Sequence, residues 1–182
     1  MAIDSLSRVF EGWEGYNTSL VHAIEPLTAE QLAFRPAPAM SSVGEVAAHI
    51  AFGRVGWFHN MGAPGASALA EQISAIEKPG GRATGPMSED PSELVNWLNA
   101  TWAMVEGTLG AWTVEDLAVT YPHTYWGKTY AVSRQWTIFR ILAHDIHHGG
   151  QLTVMLGMQG IEPPELSSLG GHLTEPPLWD GQ

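Results

Sequence analysis

Apolar and polar residues recur with a helical period in four long stretches of this chain. Between Asp4 and Leu27, Leu6, Val9, Phe10, Trp13, Tyr16, Leu20, Val21 and Ile24 return every three or four positions. That spacing predicts one amphipathic helix, capped by Asp4 or Ser5 and ended by Pro26. Thr28-Ala-Glu-Gln has the form of a capping box and predicts a short helical turn. Arg35-Pro-Ala-Pro-Ala then reads as an extended connector. Ser42 and Glu45 form a second capping box, opening a helix that runs to about Asn60.

Met61 to Met87 is rich in glycine and proline, with a short helix expected at 66–76 and a loop around it. It reads as an insertion within one domain, because neither flank is long enough to fold alone. Ser88-Glu-Asp-Pro91 starts a third long helix, with acidic residues and a proline in its first turn. Leu94, Trp97, Leu98, Trp102, Val105 and Leu109 carry that helix to Gly110. The next connection, Thr113 to Tyr130, is irregular. Its Tyr121–Tyr130 portion reads as a hairpin or a long loop whose aromatic residues and His123 either cover a pocket or seal a core edge. Ser133 caps a fourth helix, with Trp136, Phe139, Ile141, Leu142, Ile146, Leu152, Met155 and Leu156 along its expected apolar side. Beyond Gly160 the chain looks extended, with Glu175–Trp179 packing back on the rest. Four long helices with long irregular connections predict an all-α fold, a four-helix bundle in a single domain over residues 1–182.

Composition narrows the function. With 182 residues, 45% hydrophobic content and a mean hydropathy of -0.04, the chain reads as a soluble globular domain, and its eight tryptophans should dominate the packing. No apolar run reaches the length of a membrane span, and the N-terminus lacks a signal-peptide pattern. Cysteine is absent, so disulfides and thiolate ligands are excluded and a cytoplasmic location is expected. Any metal must be held by His, Asp, Glu or water. The net charge of -11, from 19 acidic and 8 scattered basic residues, would repel a phosphate backbone. Nucleic acid and membrane are therefore not the expected partners.

The candidate chemistry lies in the fourth helix, where His144, His147 and His148 fall within five residues. On a helix, His144 and His148 are about 40° apart on one face, with Cβ atoms about 5–6 Å apart, so both rings can reach one ion. His144 and His147 are also neighbours, and spacing alone does not choose between the pairs. Arg140 lies one turn before His144, and Gln151 falls on the same stripe beyond His148. An HxxxH pattern in an arbitrary helix is more often a surface cluster than a metal site. The following Gly149-Gly150 shifts that balance, since each glycine costs about 1 kcal/mol in a helix interior unless close packing compensates. His49, in an apolar part of the second helix, is either a core residue or a third nitrogen. Glu45, one turn earlier, is placed to orient it or complete a metal shell.

Three segments together resemble the DinB-like superfamily across nearly the whole chain. They are Leu27-Thr-Ala-Glu-Gln-Leu-Ala-Phe-Arg35-Pro, Ser42-Val-Gly-Glu-Val-Ala-Ala-His49-Ile and His144-Asp-Ile-His147-His148-Gly149-Gly-Gln151-Leu. The resemblance implies an up-up-down-down bundle, often dimeric, that binds a divalent metal through His49, His144 and His148. Zinc and nickel are the first expectations for that metal, with manganese and iron as alternatives. It also implies a small-molecule substrate and a low-molecular-weight thiol cosubstrate, as in thiol-dependent transferases and isomerases. One departure is Gly149, where a basic residue often follows the double histidine. Three histidines leave an open coordination position, the mark of a catalytic site. A metal there would lower the pKa of a bound thiol or water. Glu45, Arg140, His147 and Gln151 are the supporting candidates, Arg140 either holding a substrate carboxylate or reaching the surface. The expected function is thus a metal-dependent thiol S-transferase of detoxification type. The alternatives are a non-catalytic metal- or ligand-binding bundle and a metal-dependent hydrolase.

Overall fold

Helix starts fall where side chains satisfy the free N–H groups of the first turn. A computed structural model describes residues 6–76 and 89–162. In it Thr28 accepts from the Gln31 N–H while the Gln31 side chain accepts from the Thr28 N–H, opening helix α3 (Ala29–Ala33). Ser42 and Glu45 make the same reciprocal pair at the head of α4 (Val43–Asn60). Asp90 accepts from the Ser92 N–H and Pro91 takes the first position of α6 (Pro91–Ala111). Ser133 accepts from the Trp136 N–H and starts α7 (Arg134–Met158). Between α4 and α6 lies α5 (Ala66–Ile76), at the expected bounds. The expected connector and tail segments at 77–88 and 163–182, Glu175–Trp179 among them, lie outside the described residues.

Three expectations are corrected. The single N-terminal helix is two, α1 (Leu6–Val9) and α2 (Trp13–Ile24), separated at Gly12. Gly12 has φ of 96°, a left-handed conformation that breaks the helical ladder and that glycine adopts without a Cβ clash. The break lets Leu6 and Trp13 both be buried.

The second correction concerns the connection before α7: the stretch expected to be irregular is ordered, and its Tyr121–Tyr130 part takes the hairpin rather than the loop reading, which adds a sheet to the expected all-α fold. A short 3₁₀ turn (Glu115–Ala118) leads into an antiparallel hairpin of β1 (Thr120–Tyr125) and β2 (Lys128–Ser133). Its register runs from Thr120 opposite Ser133 to Tyr125 opposite Lys128. The two turn residues, Trp126 and Gly127, have φ of 48° and 72°, the positive pair that a tight hairpin turn needs to match strand twist. Pro122 sits within β1 without disrupting a central ladder, because both strands of a two-stranded sheet are edges. The fold is therefore mostly helical with one small sheet.

The third correction is the orientation of α7. Its buried face is Thr137, Ile138, Ile141, Asp145, Gly149, Leu152, Met155 and Leu156. Trp136, Phe139 and Ile146 point away, at 48%, 69% and 53% exposure. Apolar residues occur around the whole circumference of this helix, and its central inward residue is an acid, so hydrophobicity alone misjudges the face.

Helix α4 packs on both α6 and α7, and α2 packs on α6, with their apolar faces sharing one core. At its centre Arg54 and Asp145 form an ion pair of 2.8 Å, both side chains at 0% exposure. Asp145 also accepts from the Trp13 indole at 3.0 Å, and Arg54 donates to Asn17 at 2.7 Å. Arg54 further lies 3.4 Å from the Leu98 carbonyl and 3.5 Å from the Thr101 hydroxyl. One polar network thus reaches α2, α4, α6 and α7 and fixes how α7 is turned. No helix among the described residues is long and apolar enough to cross a membrane.

Candidate metal centre

His49 emerges from a face of α4 whose neighbours Val46, Ala47, Ala48 and Ile50 are all buried, so its ring is directed at α7 rather than at water. One turn further along α4, Gly53 makes room for the ring it meets: a Cβ there would lie 2.8 Å from Cε1 of His144. On α7, Gly149 plays a similar part toward α2. A methyl at Gly149 would overlap the Tyr16 hydroxyl, which donates to the Asp145 carbonyl at 2.9 Å. Gly150, by contrast, has nothing within 4 Å of an added Cβ. The close approach expected from the glycine pair belongs to Gly149 alone.

These packings bring His49, His144 and His148 together. Nε2 of His144 is 2.9 Å from Nε2 of His49, and one ligand nitrogen from each ring lies within 4.8 Å of the others. Two nitrogens bound at about 2.0–2.1 Å to a tetrahedral ion are roughly 3.3 Å apart, so small shifts of the rings would let all three reach one ion. Nδ1 of His148 is 2.7 Å from the Gln151 carbonyl oxygen. With Nδ1–H donating there, Nε2 keeps its lone pair for the centre, the usual way an outer partner fixes a ligand tautomer. Burial, reinforced by His144 and His148, pushes His49 down to about 4. His148 is also lowered, chiefly by burial, with Gln151 acting in the opposite direction. Neutral imidazole is the form that binds metal. Three imidazole donors with no thiolate among them suit a divalent transition metal better than a hard oxygen-seeking cation.

The supporting residues divide. Gln151 touches a cluster histidine through its side-chain oxygen. His147 is exposed and contacts the group only through its ring, 4.9 Å from that of His148. Glu45 is a correction: it neither orients His49 nor joins the cluster. Its carboxylate is engaged by Arg35 and by the Ser42 N–H, which holds the carboxyl below its ordinary range. Arg140 is exposed and lies over Trp57 and Trp136, away from the three histidines. Spacing did not reveal Arg54 and Asp145. The available signal was a lone arginine in the apolar run of α4 and an acid flanked by histidines. Asp145 Oδ1 lies 3.8 Å from Nδ1 of His144, and both atoms are buried without a hydrogen-bond partner among the described residues.

A cavity of about 920 Å³ opens beside the cluster. Ser41, His49, His147, His148 and Gln151 form its polar part, while Met40, Val46, Met155 and Met158 supply apolar wall.

The family model described as the DinB superfamily matches residues 16–152, more than half of the chain. The chain belongs to the DinB superfamily. The matched span of this DinB superfamily protein includes His49, His144, His148 and Gln151. Its fold is similar to that of a DinB-like protein from Bacillus cereus ATCC 10987, with a TM-score of 0.65 and 20% identity over 90% of this chain and 99% of that one. A conserved protein from Enterococcus faecalis is also similar, with a TM-score of 0.62 and 16% identity over 85% of this chain and 96% of that one. At these identities the likeness is one of fold. Among curated proteins none matches the sequence.

Proposed function

We propose that His49, His144 and His148 hold a divalent metal, zinc or nickel before manganese or iron, and that the protein is a metal-dependent enzyme of thiol S-transferase type. The observation that carries this reading is the convergence of three imidazole nitrogens, from two helices, at the edge of a largely apolar cavity. When bound, the metal supplies a Lewis acid that lowers the pKa of a coordinated thiol or water. The chain's own residues do the rest. Gln151 holds the His148 proton on Nδ1, and the buried Asp145 carboxylate lies behind His144. Met40, Val46, Met155 and Met158 give the cavity an apolar wall that suits an apolar electrophile. In this reading the four long helices α2, α4, α6 and α7 form one bundle domain that spans the chain.

The test is elemental analysis of protein purified without a metal-affinity tag, beside His49→Ala and His148→Ala. About one divalent metal per chain, lost in both variants, is the expected result. Absence of metal even after incubation with zinc, nickel or manganese would overturn the reading. Turnover of an electrophile by the loaded protein should then require a thiol. Turnover without thiol would indicate hydrolysis, and metal without turnover a binding protein.

A further inference from the structure

A second cavity, of about 640 Å³, lies beneath the β1–β2 hairpin. Trp57 of α4, Trp136 and Arg140 of α7, and His123 and Tyr130 of the hairpin line it. It is reached one helical turn beyond the histidine cluster on each helix. Trp57 follows Gly53, the residue against His144, by four positions, and Arg140 precedes His144 by four, a rise of about 6 Å. We propose that this cavity is a binding site for a planar aromatic carboxylate, with the ring held among Trp57, Trp136 and Tyr130 and the acid on Arg140.

Charge argues for the anion. Arg35, Arg54 and Arg134 each have a carboxylate partner, Glu45, Asp145 and Asp116. Arg140 has none among the described residues, in a chain whose net charge of -11 makes acidic partners plentiful. Its guanidinium is held instead over two indoles, 4.8 Å from the ring centre of Trp57 and 5.5 Å from that of Trp136. Its N–H groups have no hydrogen-bond partner among the described residues and so can serve a bidentate carboxylate. No Asp or Glu lines the cavity. Aromatic walls by themselves favour a cation, but this site already holds one, and a second would be repelled.

Shape argues for the ring. The volume lies within the range of small-molecule sites. The walls are flat side chains in mutual contact, Trp57 with His123 at 4.7 Å and with Trp136 at 5.8 Å between ring centres. Trp136 and Tyr130 nevertheless remain about half exposed. Large apolar surface left open inside a cavity is surface that a ligand ring would remove from water. The inference does not depend on a metal, because none of the three clustered histidines lines this cavity.

The test is calorimetric titration of the full chain with 2-naphthoate, with and without added zinc. One site per chain is expected in both conditions, at unchanged affinity in His148→Ala, and Arg140→Gln should stay folded with a Tm lowered only slightly by the lost contact with the two indoles. Arg140→Gln should weaken binding roughly tenfold or more, the scale of one lost charge-assisted contact. Trp136→Leu should weaken it as well. Cyclohexanecarboxylate, which lacks the aromatic ring, and 2-naphthylmethylammonium, which lacks the negative charge, should bind at least about tenfold more weakly. No binding at millimolar 2-naphthoate, equal affinity for the cation, or unchanged affinity in Arg140→Gln would overturn the proposal. Loss of binding in His148→Ala with retention in Arg140→Gln would assign the acid to the histidine cluster instead, also overturning it.

Discussion

Gly149 and Gly150 are adjacent and identical, yet the structure gives them opposite roles. The first faces Tyr16 and Leu20 of α2 with no room for a methyl, and the second faces open space. Gly149→Ala should therefore destabilise the protein by about 1–3 kcal/mol, the usual cost of overpacking. Gly150→Ala should stabilise it by about 0.5–1 kcal/mol, because alanine is the better helix former. Urea unfolding of the two variants reads both signs. Equal effects would show that helix propensity, not the contact with Tyr16, governs the pair. The same contrast separates His144 and His148 from His147. All three share one helix, and only the first two join His49 in the cluster.

At the scale of elements, the head of α4 joins a cap to an ion pair. Glu45 accepts from the Ser42 N–H and binds the Arg35 guanidinium with both oxygens. The Arg35 hydrogen bond is the largest cause that holds its carboxyl below the ordinary 4.5. A carboxyl lowered in the folded state stabilises fully above its unfolded pKa, and that contribution is lost as pH falls through the lower folded value. Glu45→Gln keeps a residue able to close the capping box but removes the charge. The stability difference between wild type and Glu45→Gln should be constant above about pH 5.5 and shrink as pH drops below 4.5. Arg35 is about one-third exposed, so the difference should be small. A difference unchanged down to the acid transition would show that the charge contributes nothing. The hairpin belongs to this scale too. Its turn at Trp126-Gly127 and its alternating Thr, Tyr and Val residues are local, but its role as a wall of the second cavity depends on α4 and α7.

Across the whole molecule, the His49 ligand comes from one helix and the His144 and His148 ligands from another, ninety-five residues apart between His49 and His144. An unfolded chain cannot hold three such nitrogens together, so metal binding on the proposed reading must stabilise the fold. At a free metal concentration one hundred times Kd the gain is about 2.7 kcal/mol. For a chain of this size that corresponds to roughly 5–10 °C in Tm. Thermal unfolding of metal-free protein, with and without zinc, should show the rise in wild type and none in His49→Ala. An equal rise in both would place the ion elsewhere.

Much of this was legible without the fold. The capping pairs at Thr28 and Ser42 and the bounds of α4, α5 and α7 are short-range facts, set by hydrogen bonds and side-chain spacings within a few residues, whereas spacing left His147 and His148 equally placed to pair with His144. Local pattern also suggested His49, but as one of two readings. What only the tertiary structure decided is which side of each helix faces in. Helix α7 carries apolar residues on every side, and a buried Asp145 paired with Arg54 outweighs the exposed Trp136, Phe139 and Ile146 in setting its rotation. Glu45 was assigned to His49 on spacing, yet Arg35 offers it a nearer opposite charge in the folded chain. The physical reason is the same in each case. Periodicity reports where a residue lies around its own helix axis, whereas ion pairing, glycine clearance and ring contact are settled by what the neighbouring helix presents at that height.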